Sequence, residues 1–147
     1  MSSCAFRECR SLWRAIFQKG SILHTIGADC FRGSGLQRIE LPGSLRVIND
    51  GAFADCKGLR LVGLNDGLAR LGGQERDDKL PDSEQHVLEE ESDQRRSVFK
   101  NSVIAEMRVP STPVEIQYGT FRDCKLTAIQ IDEDCPHSTM EHLIPCV

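Results

Sequence analysis

The chain has 147 residues and a formal net charge of -4, with 27% charged and 39% hydrophobic residues. That size suits one domain, and the acidic balance argues against a nucleic-acid or anionic-membrane surface. No apolar run approaches the roughly 20 residues that span a bilayer, so no membrane span is expected. The opening MSSCAFRECRSLWRAIF places arginines where a secretory leader needs unbroken apolar residues, which leaves the cytoplasm as the default compartment. Its arginines, serines and single glutamate also resemble a mitochondrial transit peptide, a minor reading because a repeat already explains Phe6, Cys9 and Leu12.

Five of the six phenylalanines, Phe6, Phe31, Phe53, Phe99 and Phe121, are separated by 25, 22, 46 and 22 residues, and 46 is two periods of 23. Self-similarity at that period predicts a solenoid, in which each unit buries its apolar face against its neighbours. Three residues after each Phe comes a small residue: Cys9, Ser34, Cys56, Ser102 or Cys124. Leu12, Leu36, Leu59, Ile104 and Leu126 follow, then Ala15, Ile39, Val62, Met107 and Ile129, then Phe17, Leu41, Leu64, Val109 and Ile131. A further column carries Ile26, Ile48, Leu71 and Ile116, and two extra residues before Ile26 account for the gap of 25.

Apolar residues alternate with others in Ile39-Glu40-Leu41, Val62-Gly63-Leu64, Met107-Arg108-Val109 and Ile129-Gln130-Ile131, which predicts short strands with one buried face. Pro42, Asn65-Asp66-Gly67 and Pro110 stop these strands, because proline lacks the ladder donor and Asn, Asp and Gly favour turns. The expected architecture is a leucine-rich-repeat solenoid. Short parallel strands form one side, tight helical or irregular turns form the other, and an acidic loop interrupts the array. The small residue after Phe is expected on a tight helical turn, facing inward.

These motifs resemble the BspA-type leucine-rich repeats, whose units run Ile-Gly-x-x-Ala-Phe-x-x-Cys-x-x-Leu-x-x-Ile-x-Ile-Pro. IGADCFRGSGLQRIELP from Ile26, INDGAFADCKGLRLVGL from Ile48 and IQYGTFRDCKLTAIQI from Ile116 carry the resemblance, and CAFRECRSL is a half unit. The likeness spans residues 4 to 71 and 98 to 131, with units near 4-29, 30-51, 52-71, 98-119 and 120-131. It implies a fold built from packing and turn positions, often in surface or adhesion proteins, and it transfers no catalytic residue.

The register calls for a phenylalanine near position 76 and finds none. Residues 72-97 carry nine acidic and four basic residues with few apolar ones, and are read as an acidic loop insertion. Its plainest role is a solvated surface loop, its sharper one a partner-binding or regulatory element. A helix from Asp82 to Arg96 is open to it, with Asp82 as cap. After Ile131 the pattern lapses into a tail of unclear structure, residues 132-147, and no capping unit is evident at either end. A fragment of a longer array is therefore expected.

Seven cysteines with no secretory leader favour reduced thiols, and Cys9, Cys56 and Cys124 share their column with Ser34 and Ser102. Cys135, His137, His142 and Cys146 have a spacing open to zinc but match no standard finger, so polar tail residues are the default. No cofactor motif and no catalytic motif of the common hydrolase, phosphate-binding or metalloprotease kinds is present, and Gly33-Ser34-Gly35 sits at a repeat turn. No enzyme is expected.

Recognition remains. Two outward columns flank the predicted strands: Arg14, Arg38, Leu61, Glu106 and Ala128 in one, and Ile16, Glu40, Gly63, Arg108 and Gln130 in the other. Arg14, Arg38, Glu40, Leu61, Glu106, Arg108 and Gln130 are the candidates for binding a protein partner, on the surface that repeat proteins commonly use. The blander alternative is a degenerate or partial array with only a structural or adhesion role.

Overall fold

The computed structural model describes residues 1–73 and 97–131. Among these described residues nine parallel strands follow one another: β1 (Arg14–Ala15), β2 (Thr25–Ile26), β3 (Arg38–Glu40), β4 (Val47–Ile48), β5 (Leu61–Gly63), β6 (Arg70–Leu71), β7 (Val103–Val109), β8 (Glu115–Ile116) and β9 (Lys125–Ile131). Odd-numbered strands form a five-stranded sheet in the order β1-β3-β5-β7-β9, and even-numbered strands form a four-stranded sheet in the order β2-β4-β6-β8. Each repeat is one coil: a turn bearing the phenylalanine, a strand of the larger sheet, a corner, and a strand of the smaller sheet. The fifth coil is described as far as β9.

Register converts sequence period into packing. Ile39 pairs with Val62, Val62 with Met107 and Met107 with Ile129, so one inward column runs through the larger sheet. Ile26, Ile48, Leu71 and Ile116 form the matching column of the smaller sheet. Between them lie Leu36, Leu59 and Ile104, all fully buried. The phenylalanine rings stack from Phe6 through Phe31, Phe53 and Phe99 to Phe121, with centroids 5.2, 5.4, 5.6 and 5.4 Å apart and planes within 9° of parallel. Those centroid distances lie in the range of favourable offset stacking.

The smaller sheet was not anticipated, since its two-residue strands show only one apolar column in the sequence. Of the helical or irregular turns expected after each phenylalanine, the irregular kind occurs, and no helix is found among the described residues. Its backbone explains why. Residues two before and two after the phenylalanine adopt left-handed conformations: Cys4, Asp29, Gly51 and Gly119 on one side, and Glu8, Gly33, Asp55, Asn101 and Asp123 on the other. Left-handed residues at that spacing forbid a right-handed helical run.

Backbone donors along this ridge consequently alternate between two targets. Phe6, Phe31, Phe53 and Phe99 donate to the next coil, at Cys30, Ala52, Val98 and Thr120 respectively, as Glu8, Gly33 and Asp55 do to Arg32, Ala54 and Lys100. Intervening N–H groups, including those of Arg32, Ser34, Ala54 and Ser102, close turns three residues back. The ridge is thus a third ladder along the solenoid, and it satisfies polar backbone beside the apolar core.

The small-residue column has a polar function of its own. The Cys56 thiol donates to the Phe31 carbonyl of the preceding coil over 3.1 Å, and the Ser102 hydroxyl donates to the Phe53 carbonyl over 2.7 Å. A compact side chain with one donor fits this slot, which accounts for the Cys/Ser exchange. Gly35 has a different reason: a Cβ there would collide with the Arg10 carbonyl oxygen.

Corner side chains bind adjacent coils as well. Asn65 donates to the Leu45 carbonyl over 3.0 Å, Arg46 to the Gly67 carbonyl over 2.8 Å, and Ser111 to the Asp66 carboxylate over 3.2 Å.

Leu71 to Phe99 spans 28 residues, where Ile26–Phe31, Ile48–Phe53 and Ile116–Phe121 each span five, so 23 residues are added at that turn. β5 nevertheless pairs directly with β7. Most of the acidic segment, the helix considered over 82–96 and the tail 132–147 lie outside the described residues.

Candidate functional site

A parallel sheet with one buried face must present alternate side chains outward, and the larger sheet does so in register. Arg14, Arg38, Leu61, Glu106 and Ala128 are successive partners across β1, β3, β5, β7 and β9. Glu40, Gly63, Arg108 and Gln130 form the second column, and Ile16 follows β1 in the same phase. All seven residues singled out in the sequence therefore share one sheet face. Arg14, Arg38, Glu40, Arg108 and Gln130 are exposed, while Leu61 and Glu106 are half-buried.

Charge on this face is mixed. Arg38 and Glu40 point the same way from β3 and form an ion pair, which solvent exposure leaves weak. Gly63 supplies no side chain between Glu40 and Arg108, so the second column has a notch at its centre with Leu61 on the adjoining column.

The turn ridge carries a second charged array, outside the two sheet columns. Arg32 donates to Asp55 over 3.0 Å and lies 3.5 Å from Asp29, while the Asn101 amide donates to Asp55 over 2.9 Å. Asp55 is held below the usual carboxylate range, chiefly by the Asn101 hydrogen bond and with help from Arg32, while burial, the second-largest effect, opposes them. Burial opposes the Arg32 charge, but Asp29 and Asp55 outweigh it and raise its affinity for the proton. Asp, Asn or Gly two residues after Phe31, Phe53, Phe99 and Phe121, with Glu8 after Phe6, was the available signal.

Nucleophilic chemistry has little support among the described residues. Burial pushes the Cys30 and Cys56 thiols up, which disfavours the reactive thiolate. The five described cysteines are free thiols. No group of three or more His, Cys, Asp or Glu side chains that could hold a metal ion occurs among the described residues. Cys135, His137, His142 and Cys146 lie outside them. No helix among the described residues is long and apolar enough to cross a membrane.

Two parallel sheets of short strands, wound once per 22 to 25 residues apart from the 46-residue third coil around a stacked phenylalanine core, define a leucine-rich-repeat solenoid. A family model described as BspA type leucine rich repeat region matches in six copies over residues 1–74 and 94–141, and the chain belongs to that family. No curated protein and no solved structure matches the chain. Repeats of this class suggest a protein-interaction or adhesion module and typically serve as non-enzymatic scaffolds.

Proposed function

We propose that the protein is a non-enzymatic interaction module that binds a protein partner through the outward face of its larger sheet. The observation that carries this reading is the unbroken register of the two outward columns, which holds Arg14, Arg38, Glu40, Leu61, Glu106, Arg108 and Gln130 on a rigid surface. A preorganised platform loses little conformational freedom on binding. The alternating charges around Leu61 and the Gly63 notch favour selection by charge pattern, with one apolar side chain of the partner seated at the centre. Residues 72-97 are read from their sequence as an acidic insertion between the third and fourth coils.

The test is a pull-down comparing wild type with an Arg38→Glu, Arg108→Glu double variant. Both side chains are exposed and neither lies in the core, so the fold is retained. Loss of the captured partner is expected. Retention of every partner by the folded double variant transfers the role to another surface, and deletion of residues 74–96 then becomes the informative comparison.

A further inference from the structure

Strict alternation gives two outward columns on the larger sheet, and its hydrogen bonds add a third. Arg60 and Leu61 both donate their backbone N–H to the Gln37 carbonyl, over 2.8 and 3.2 Å, and Ala105 and Glu106 both donate to the Arg60 carbonyl over 2.9 Å. Two consecutive residues then stand outward between inward ones, so Trp13, Gln37, Arg60, Ala105 and Thr127 line up beside the column that runs from Arg14 to Ala128. Trp13, Gln37, Arg60 and Thr127 are exposed and Ala105 is half-buried, while Leu36, Leu59 and Ile104 next to them are fully buried.

Positive charge gathers where this column crosses the first three coils. Arg14 on β1 is the direct partner of Arg38 on β3, and Arg60 immediately precedes Leu61, the partner of Arg38 on β5. Glu40 is the one acid that the three columns carry in these coils, so three cations stand against one anion, a balance of +2. Glu106 and Arg108 cancel in the fourth coil, and the fifth carries no charge in these columns. Glu40 is held by Arg38, and neither Arg14 nor Arg60 has an ion-pair partner among the described residues. Like charges on neighbouring strands repel, so an anion laid across them relieves a repulsion that the register builds in.

We infer that the element this face receives is an acidic segment of a protein partner, with its carboxylates set on Arg14, Arg38 and Arg60 across the first three coils. This rests on the sheet-face reading and adds the chemistry of the partner, with Arg60 as a further residue that selects it. Neighbouring strands lie about 4.8 Å apart and same-face residues of an extended chain recur about every 7 Å, so a short acidic run reaches all three guanidinium groups. Each guanidinium offers a carboxylate a planar pair of donors. Nucleic acid or an anionic lipid surface would also meet the net charge of -4 of the whole chain, whereas a short run of carboxylates engages the local +2 alone.

Trp13 shares its column with Arg60 and is the only tryptophan, so its emission reports binding on this face. The experiment titrates the full chain with an oligoglutamate peptide, and with oligolysine of the same length, at low and high salt. Expected are a change in Trp13 emission with oligoglutamate alone and weaker binding as salt rises. Arg60→Glu should weaken that binding by roughly tenfold or more, and Glu40→Gln, which releases Arg38, should tighten it by about twofold or more. Both side chains are exposed, and circular dichroism checks that the fold is kept. The inference is overturned if oligoglutamate does not bind or if the two variants leave its affinity unchanged. Tighter binding of oligothymidylate DNA or phosphatidylserine vesicles than of oligoglutamate overturns it as well. A captured partner that is lost by Arg38→Glu, Arg108→Glu but kept by Arg60→Glu upholds the sheet-face reading and removes its acidic partner, so the two fail separately.

Discussion

The Asn101 side-chain amide donates to the Asp55 carboxylate over 2.9 Å, although 46 residues separate them in the chain. Asp55 and Asn101 occupy the same position in the third and fourth coils, two residues after Phe53 and Phe99, whose rings are stacked. The coil that follows the long insertion therefore rests directly on the coil that precedes it.

Deletion of residues 74–96 should leave the solenoid standing, because Leu61, Val62 and Gly63 already pair with Glu106, Met107 and Arg108 across the gap. The shortened turn would join Gly73 to Ser97 at a spacing like that of the other coils. Shortening this span from 28 residues to five lowers the entropic cost of closure, so stability should rise by roughly 1–2 kcal/mol. Thermal unfolding followed by circular dichroism checks this, and a deletion variant that fails to fold would show that the segment packs into the array.

Asp55 should give the array an acid-sensitive contribution. Its folded-state pKa lies below the ordinary value of 3.8, chiefly through Asn101 and then Arg32, so the folded state favours the ionised form. That contribution is fully present above the unfolded pKa and is lost as pH falls through the lower folded value. Chemical unfolding measured between neutral pH and pH values below 3.8 should show the wild-type advantage over Asp55→Ala shrinking in acid. A constant difference would mean that the carboxylate charge plays no part.

Much of this architecture is legible in one sequence because it is repeated. Phe53, Cys56, Leu59, Val62 and Leu64 recur in kind four or more times, and repetition turns a weak local pattern into a reliable core column. The outward columns followed from the same alternation, since a strand that buries Val62 must expose Leu61 and Gly63. The smaller sheet was hidden because Val47–Ile48 and Arg70–Leu71 are too short to show an alternation of their own. Spacing alone leaves the turn open between helical and irregular, because it fixes that Cys56 lies three residues after Phe53 without fixing the sign of φ at Asp55. Trp13 and Ile16 were readable as apolar, but only register showed that their counterparts Gln37 and Glu40 are polar.

The Cys/Ser slot makes a sharper claim about side-chain chemistry. Cys56→Ser keeps the donor to the Phe31 carbonyl and should be close to neutral, whereas Cys56→Ala should cost about 1 kcal/mol through the lost hydrogen bond. Cys56→Leu overfills a fully buried site and should cost about 1–3 kcal/mol. Urea unfolding of the three variants gives the order Ser, Ala, Leu if the slot selects for size and a donor. Equal stability for Ala and Ser would remove the donor from the explanation.

The central claim is that the coils share one core through the phenylalanine stack, and Phe53 is fully buried between Phe31 and Phe99. The most direct measurement is the unfolding free energy of Phe53→Ala, combined with hydrogen exchange at the amides of the second and fourth coils. A shared core predicts a loss of about 3–5 kcal/mol and faster exchange in both neighbouring coils. A loss near zero, or one confined to the third coil, would contradict it.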